Sequence, residues 1–237
     1  MTAMANRRMD VGRLVMVPGA VLMLSADAYI LTHSTGVLPW IGNALVAVFY
    51  ALIIWAYVRR GPAKATSTSR TAHVAAVVAT LVPFAFPLLT GDRSGTGRQL
   101  AADVLLVGGT AWSVWSLRSL GKNLSVIAQA RDVVDHGPYR WIRHPLYTGE
   151  IVSSLGLAIA SGTAGAAGAW ILLVSLQLYR AHHEERVLLI TLPTYAAYRA
   201  RTAAVLPWIS RGPSAGGVLP GYLASGRETA SRRRVGP

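Results

Sequence analysis

The chain alternates long apolar runs with short polar connections. Four such runs lie in its first half, at about residues 14–31, 41–58, 71–89 and 100–117. Each is long enough to cross a bilayer as a helix, at ~1.5 Å per residue. Pro83 and Pro87 lie within the third run, and a proline inside a helix removes a hydrogen bond and kinks it. The pattern therefore predicts four transmembrane helices, of which the third is bent.

The second half of the chain is more mixed. A polar connection precedes two apolar segments that are short for full spans, then a helical stretch with one polar face, at about residues 118–144, 146–160, 164–179 and 180–201. The two short segments fit either a helical hairpin or two tilted passes. Residues 209–237 are rich in Gly, Ser, Arg and Pro, which predicts a disordered basic tail.

Composition and the position of the charges agree with a membrane protein. Of 237 residues, 52% are hydrophobic and only 14% are charged, against about 25% in typical soluble domains. The net charge of +13 is also compatible with nucleic-acid binding. However, with a cytoplasmic amino terminus and a terminal hairpin, 21 of the 23 Lys and Arg residues fall on the cytoplasmic side, as the positive-inside rule requires. We therefore assign the charge to orientation and to contact with anionic membrane lipids, and we expect no nucleic-acid partner.

These observations together predict an all-α, polytopic helical membrane protein with five or six membrane segments. We expect both termini in the cytoplasm and the protein in the plasma (inner) membrane of a bacterium. A C-terminal helical hairpin would form a pocket that faces the cytoplasm. The expected parts are a four-helix transmembrane scaffold, a region that carries chemistry and the basic tail, at residues 1–117, 118–208 and 209–237.

The candidate chemistry starts within residues 137–150. Pro145 lies where a helix would begin, because its missing N–H costs nothing at the first helical position. His144 and Tyr147, three residues apart, would share one face of that helix. Free backbone N–H groups and two nearby arginines make such a helix start a site for a carboxylate or phosphate.

A second polar stretch would complete the same pocket. The hairpin brings the start of its first helix beside the end of its second, so His144 and Tyr147 should approach Arg180, His183 and Glu184. Such a pocket has a cationic end and an acidic residue at the depth where the bilayer becomes apolar. It suits one amphipathic or zwitterionic ligand and one lipophilic partner.

Other kinds of site are disfavoured by the sequence. The chain has no cysteine, which excludes disulfides, thiolate metal sites and thiol nucleophiles. The run His182-His183-Glu184 lacks the His-Glu-x-x-His spacing of a helical zinc site, so we expect no metal.

The polar motifs of the second half resemble those of a known enzyme family. They read Leu120-Gly121, Val133-Val134, Gly137-Pro138-Tyr139-Arg140, Arg143-His144-Pro145-x-Tyr147-x-Gly149, Arg180-x-x-x-Glu184-Glu185, Tyr195-x-x-Tyr198 and Leu206-Pro207. Over roughly residues 115–208 this pattern resembles the isoprenylcysteine carboxyl methyltransferase family, which is grouped with the phospholipid methyltransferases.

The resemblance implies an integral membrane enzyme that uses S-adenosylmethionine. It places the cofactor contacts at Gln129, Arg131, Asp132, Val133, Val134, Tyr139, His144, Pro145, Leu146, Tyr147 and Glu184. It also implies that Arg180 orients the substrate and that Arg180 and Glu184 form the catalytic pair. A carboxylate acceptor needs no base, whereas an amine acceptor would lose a proton to His183, Glu184 or Glu185.

The expected function is therefore S-adenosylmethionine-dependent methyl transfer to a lipophilic small molecule or lipid. A carboxylate, an amine and a thiol all remain possible as acceptor, and the sequence does not set the oligomeric state. One alternative is an NADPH-dependent membrane reductase of the sterol type, whose terminal helices end in a similar Tyr-x-x-Tyr and Pro pattern. Another is a non-catalytic membrane scaffold.

Overall fold

The protein is built from helices. A computed structural model describes residues 11–33, 36–59, 65–66, 69–89, 91, 96–124, 129–130 and 133–205. Within them, the α-helices are α1 Val11–His33, α2 Val37–Arg59, α3 Arg70–Leu81, α4 Thr96–Leu120, α5 Pro145–Ser161, α6 Ala164–Thr191 and α7 Tyr195–Arg201. Short 3₁₀ segments cover Val82–Leu89, Gly121–Asn123 and Gly137–Arg140. The one strand pair in these residues is antiparallel, β1 Ala65–Thr66 with β2 Gln129–Ala130. The predicted all-helical architecture is confirmed apart from this two-residue pair.

Three of the described helices, α1, α2 and α4, are long and apolar enough to cross a membrane. The third predicted span begins as α3 and continues from Val82 as a 3₁₀ segment through Pro83 and Pro87. The prolines account for this change of helix type, because a proline cannot donate the hydrogen bond that an α-helix requires. The predicted bend itself stays a prediction. The total of five or six membrane segments stays a prediction.

The terminal hairpin consists of α5 and α6. Gly162 closes α5 in the left-handed conformation, with φ of 65°, and Thr163 caps α6 by accepting a hydrogen bond from Ala166 N at 3.1 Å. The apolar run to Tyr179 and the first part of the polar stretch from Arg180 form this one helix, which ends at Thr191. The predicted helical stretch 180–201 is interrupted before α7 begins at Tyr195. The change from apolar to polar residues does not break the helix, and the first proline does. The same rigid helix therefore carries the apolar wall and the polar residues of the site.

Close packing of α4 on α5 fixes the start of the hairpin. A Cβ atom added at Gly109 would lie 2.8 Å from the Gly149 oxygen, and one at Gly149 would lie 2.8 Å from the Gly109 oxygen. Small residues of this kind let membrane helices approach closely. One turn further along α4, Trp112 Nε1 donates to the Pro145 carbonyl at 2.9 Å. The first residue of α5 is thus held against α4.

The segment after α7 returns to the same place. Ile142 and Ala203 form a parallel bridge. Arg143 N donates to Ala203 O at 2.8 Å, and His144 N donates to Ala204 O at 3.0 Å. The residues that precede α5 are therefore held between α4 on one side and the last described residues on the other.

Candidate functional site

The predicted approach of the two hairpin helices is seen in the contacts of four side chains. Tyr147 Oη donates to Glu184 Oε2 at 2.9 Å. The Arg180 guanidinium lies 4.8 Å from the centre of the Tyr147 ring, and the His144 ring stacks on Tyr147 at 5.4 Å with an interplanar angle of 5°. His183 is not part of this cluster, because its ring packs against Tyr179 at 4.4 Å.

A buried carboxylate beside this cluster belongs to Glu185, which the sequence did not single out as a binding residue. Arg143 Nε donates to Glu185 Oε1 at 2.7 Å, His144 Nε2 lies 3.2 Å from the same oxygen, and Arg199 Nε lies 3.2 Å from Oε2. Burial alone raises the pKa of the Glu185 carboxyl. Hydrogen bonds and positive charge from His144 and Arg143 outweigh burial and lower this pKa to about 2. Glu185 therefore holds His144 in place as an ionised partner.

Beside His144 lies a small cavity of about 60 Å³. We call it the polar cavity because its lining is more polar than that of the larger cavity described below. Residues from the connection before α5, from α6 and from α7 line it: Leu120, Asn123, Val133, Val134, Tyr139, Arg143, His144, Glu184, Leu188, Tyr195 and Tyr198. Tyr198 Oη donates to the Tyr139 carbonyl at 2.7 Å. The Tyr195 hydroxyl is buried and has no hydrogen-bond partner among the described residues. An orphaned hydroxyl in a polar cavity is a group that a ligand can satisfy.

The predicted cofactor contacts do not all lie at this cavity. Val133, Val134, Tyr139, His144 and Glu184 line it. Leu146 and Tyr147 line a second cavity instead, and Pro145 is fully buried. Gln129 lies in β2, and nothing is described of its side chain, while Arg131 and Asp132 fall outside the described residues.

The second cavity is apolar and encloses about 490 Å³. Its walls come from α1, α2, α3, α4 and the hairpin, with residues such as Met16, Phe49, Leu117 and Leu146. Tyr147, Glu150 and Arg180 form its polar part. Tyr147 lines this cavity while its hydrogen-bond partner Glu184 lines the polar one. The stacked rings of His144 and Tyr147 thus separate two compartments of opposite character.

Among the described residues, no group of three or more His, Asp or Glu side chains is placed to hold a metal ion. The adjacent carboxylates of Glu184 and Glu185 already contact Tyr147, His144 and Arg143. The polar side chains of the site are therefore engaged in hydrogen bonds and ion pairs with each other.

Residues 98–192 match the family model described as phospholipid methyltransferase. The match spans almost all of α4, both hairpin helices and the cluster around His144. This part of the chain is similar to the phospholipid methyltransferases. The helices that are apolar enough to span a membrane agree with an integral membrane protein.

The fold is also similar to that of a solved protein. The structure of the eukaryotic intramembrane Ras methyltransferase ICMT (isoprenylcysteine carboxyl methyltransferase) without a monobody aligns with a TM-score of 0.50 and 20% identity. The alignment covers 82% of this chain and 76% of that one. At this identity the similarity shows a shared fold and nothing further. No curated protein sequence matches the chain.

Proposed function

We propose that the protein transfers a methyl group from S-adenosylmethionine to a lipophilic small molecule or lipid. The observation that carries this proposal is a pair of neighbouring cavities with the stacked rings of His144 and Tyr147 between them. One is polar and lies among loop and helix-end residues, and the other is apolar and lies among the membrane helices. A water-soluble donor and a membrane-dissolved acceptor need two such compartments side by side.

The residues around the polar cavity fit the polar parts of S-adenosylmethionine. His144 can hold its carboxylate, Glu184 its amino group or ribose, and the orphaned hydroxyl of Tyr195 can donate to it. About 60 Å³ is less than the roughly 300–1,000 Å³ of most ligand pockets. A whole cofactor therefore fits only if the cavity walls separate on binding.

The cofactor supplies a methyl group already activated on a sulfonium sulfur, so the protein mainly has to position the two reactants. Glu184 is fixed by Tyr147, and His144 is fixed by Glu185. Arg180 is buried at the polar end of the acceptor cavity, where it can orient the head group of the acceptor. The apolar walls of that cavity keep water away from the reacting atoms.

We also propose that the polar cavity opens to the cytoplasm of a bacterial cell and that both termini lie on that side of the plasma membrane. The support is the bias of Lys and Arg toward the cytoplasmic connections. Protease protection of tagged termini in sealed inverted and right-side-out vesicles tests this orientation. Protection of both tags in inverted vesicles would contradict it.

The first experiment is calorimetric titration of the detergent-purified protein with S-adenosylhomocysteine, with NADPH in parallel. Saturable binding of S-adenosylhomocysteine alone supports the proposal and justifies a search for acceptors with labelled methyl groups. Binding of NADPH alone would replace it with the reductase. A folded protein that binds neither compound would be better described as a scaffold.

A further inference from the structure

A chain of three hydrogen-bonded polar side chains lies at the apolar cavity. Only one of them, Arg180, has a role in the proposed reaction. Arg180 Nη1 donates to Gln177 Oε1 at 3.0 Å, and Gln177 Nε2 donates to Glu150 Oε2. Gln177 is 1% exposed and Arg180 is 8% exposed. Glu150 and Arg180 both line the cavity.

The chemistry of the three groups fixes the direction of these hydrogen bonds. A guanidinium can only donate, so Gln177 presents its oxygen to Arg180. Its NH₂ group then faces Glu150 and donates to it. Burial favours the protonated form of the Glu150 carboxyl, whereas the positive charge of Arg180 and the hydrogen bond from Gln177 favour its ionised form.

The charge of the cavity follows from this arrangement. Among the described residues that line it, Glu150 and Arg180 are the only ones with an acidic or a basic side chain, counting Asp, Glu, Lys, Arg and His. When Glu150 is ionised, its charge cancels that of Arg180, and the other lining groups are apolar or uncharged. A carboxylate ligand would add an uncompensated negative charge in a space of low dielectric, where such a charge is costly.

We propose that Glu150 is a specificity-determining residue that disfavours carboxylate head groups in this cavity. The favoured ligands are lipophilic molecules whose head is uncharged or cationic, such as a long-chain alcohol or amine. Glu150 acts in two ways: it repels a ligand carboxylate directly, and it competes for the positive charge of Arg180 through Gln177. That such a ligand is the methyl acceptor rests on the proposed function.

The test compares three amphiphiles with the same saturated chain and different heads: a carboxylate, an alcohol and an amine. Each displaces a fluorescent long-chain probe from the full-length protein in detergent. We expect wild type to bind the alcohol and the amine about tenfold more tightly than the carboxylate, or by a larger factor. Both Glu150→Gln and Glu150→Met should remove most of this difference in affinity, whereas Glu150→Asp, which keeps the carboxylate, should preserve it.

Asp103→Asn is the matched control. Its carboxylate is also on a transmembrane helix and also bonded to a glutamine, Gln99 Nε2 at 2.8 Å, but it does not line the cavity. It should keep the wild-type order. Equal affinity of wild type for all three heads would overturn the proposal, and so would an unchanged order in both Glu150→Gln and Glu150→Met.

Methyl transfer from labelled S-adenosylmethionine to the same three amphiphiles separates this inference from the proposed function. Charge-selective binding without transfer to any head would refute the function and leave the selectivity of Glu150 standing. Transfer by wild type to the carboxylate at the rate of the amine would refute the inference and leave the methyltransferase standing.

Discussion

Replacing Glu185 by Gln removes one negative charge from the most connected ion cluster in the described structure. Its carboxylate accepts from Arg143, contacts His144 and pairs with Arg199. The side chain is 11% exposed, so water replaces little of what is lost. The substitution keeps the shape of the side chain and removes its charge, which makes it a test of the electrostatics of the cluster rather than of its packing.

The magnitude follows from the pKa of Glu185, which falls from its ordinary value of 4.5 to about 2. At ~1.36 kcal/mol per pKa unit, this difference corresponds to about 3 kcal/mol of folding stability. The pKa is lower in the folded state, so this stability is fully present above pH 4.5 and is lost as the pH falls toward 2. Glu185→Gln should therefore lower the free energy of unfolding by about 3 kcal/mol at pH 7, in keeping with the loss of one partner from a buried ion pair.

The assay is equilibrium unfolding in mixed micelles of a mild detergent and SDS, followed by far-ultraviolet circular dichroism at a series of pH values. Asp135→Asn is the control, because Asp135 pairs with Arg201 at the same distance of 2.7 Å but is 56% exposed. An exposed pair of this kind contributes about 0–1 kcal/mol. A Glu185→Gln variant with the same acid-dependent loss of stability as wild type would refute the reasoning.

Three further predictions concern binding, turnover and packing. His144→Ala and Glu184→Ala should each weaken binding of S-adenosylhomocysteine by about tenfold or more in calorimetry, with His182→Ala, on the exposed side of α6, as a control that keeps wild-type affinity. Arg180→Ala should keep that affinity and lower kcat/KM for the acceptor on the order of tenfold, and a loss of cofactor affinity would contradict the assignment of Arg180 to the acceptor side. Gly109→Ala should lower the free energy of unfolding by about 2 kcal/mol through overpacking against α5, whereas Gly108→Ala, where a Cβ atom meets nothing within 4 Å, should not.

The lengths of the membrane helices were predictable from the sequence because they depend on local hydrophobicity. The extent of α6 was predicted only in part, because the apolar run to Tyr179 and the helical stretch from Arg180 to Arg201 were described as two segments. No glycine or proline lies between Arg180 and Pro193, so the backbone has no reason to break there. The sequence changes from apolar to polar residues both where a helix ends and where a continuous helix leaves the apolar layer of the membrane.

The site was predictable in part for a similar reason. The spacing of Arg180 and Glu184 identified one helix face, and Tyr147 meets both residues of it. Glu185 lies about 100° further around the same helix. Its partners come from α7 and from Arg143, so its role could be recognised only once their positions were known. Gln177 was missed because a single amide in an apolar run follows no periodic pattern.

The bridge between Ile142 and Ala203 has a consequence for the order in which the protein is made. The carbonyls of Ala203 and Ala204 hold the backbone of Arg143 and His144, and they emerge from the ribosome after all of the hairpin. The membrane helices can insert and pack while the start of α5 still lacks these partners. A nascent or truncated chain that stops before residue 202 would therefore keep every residue proposed to contact the acceptor and still be inactive. Activity would then report that translation has been completed.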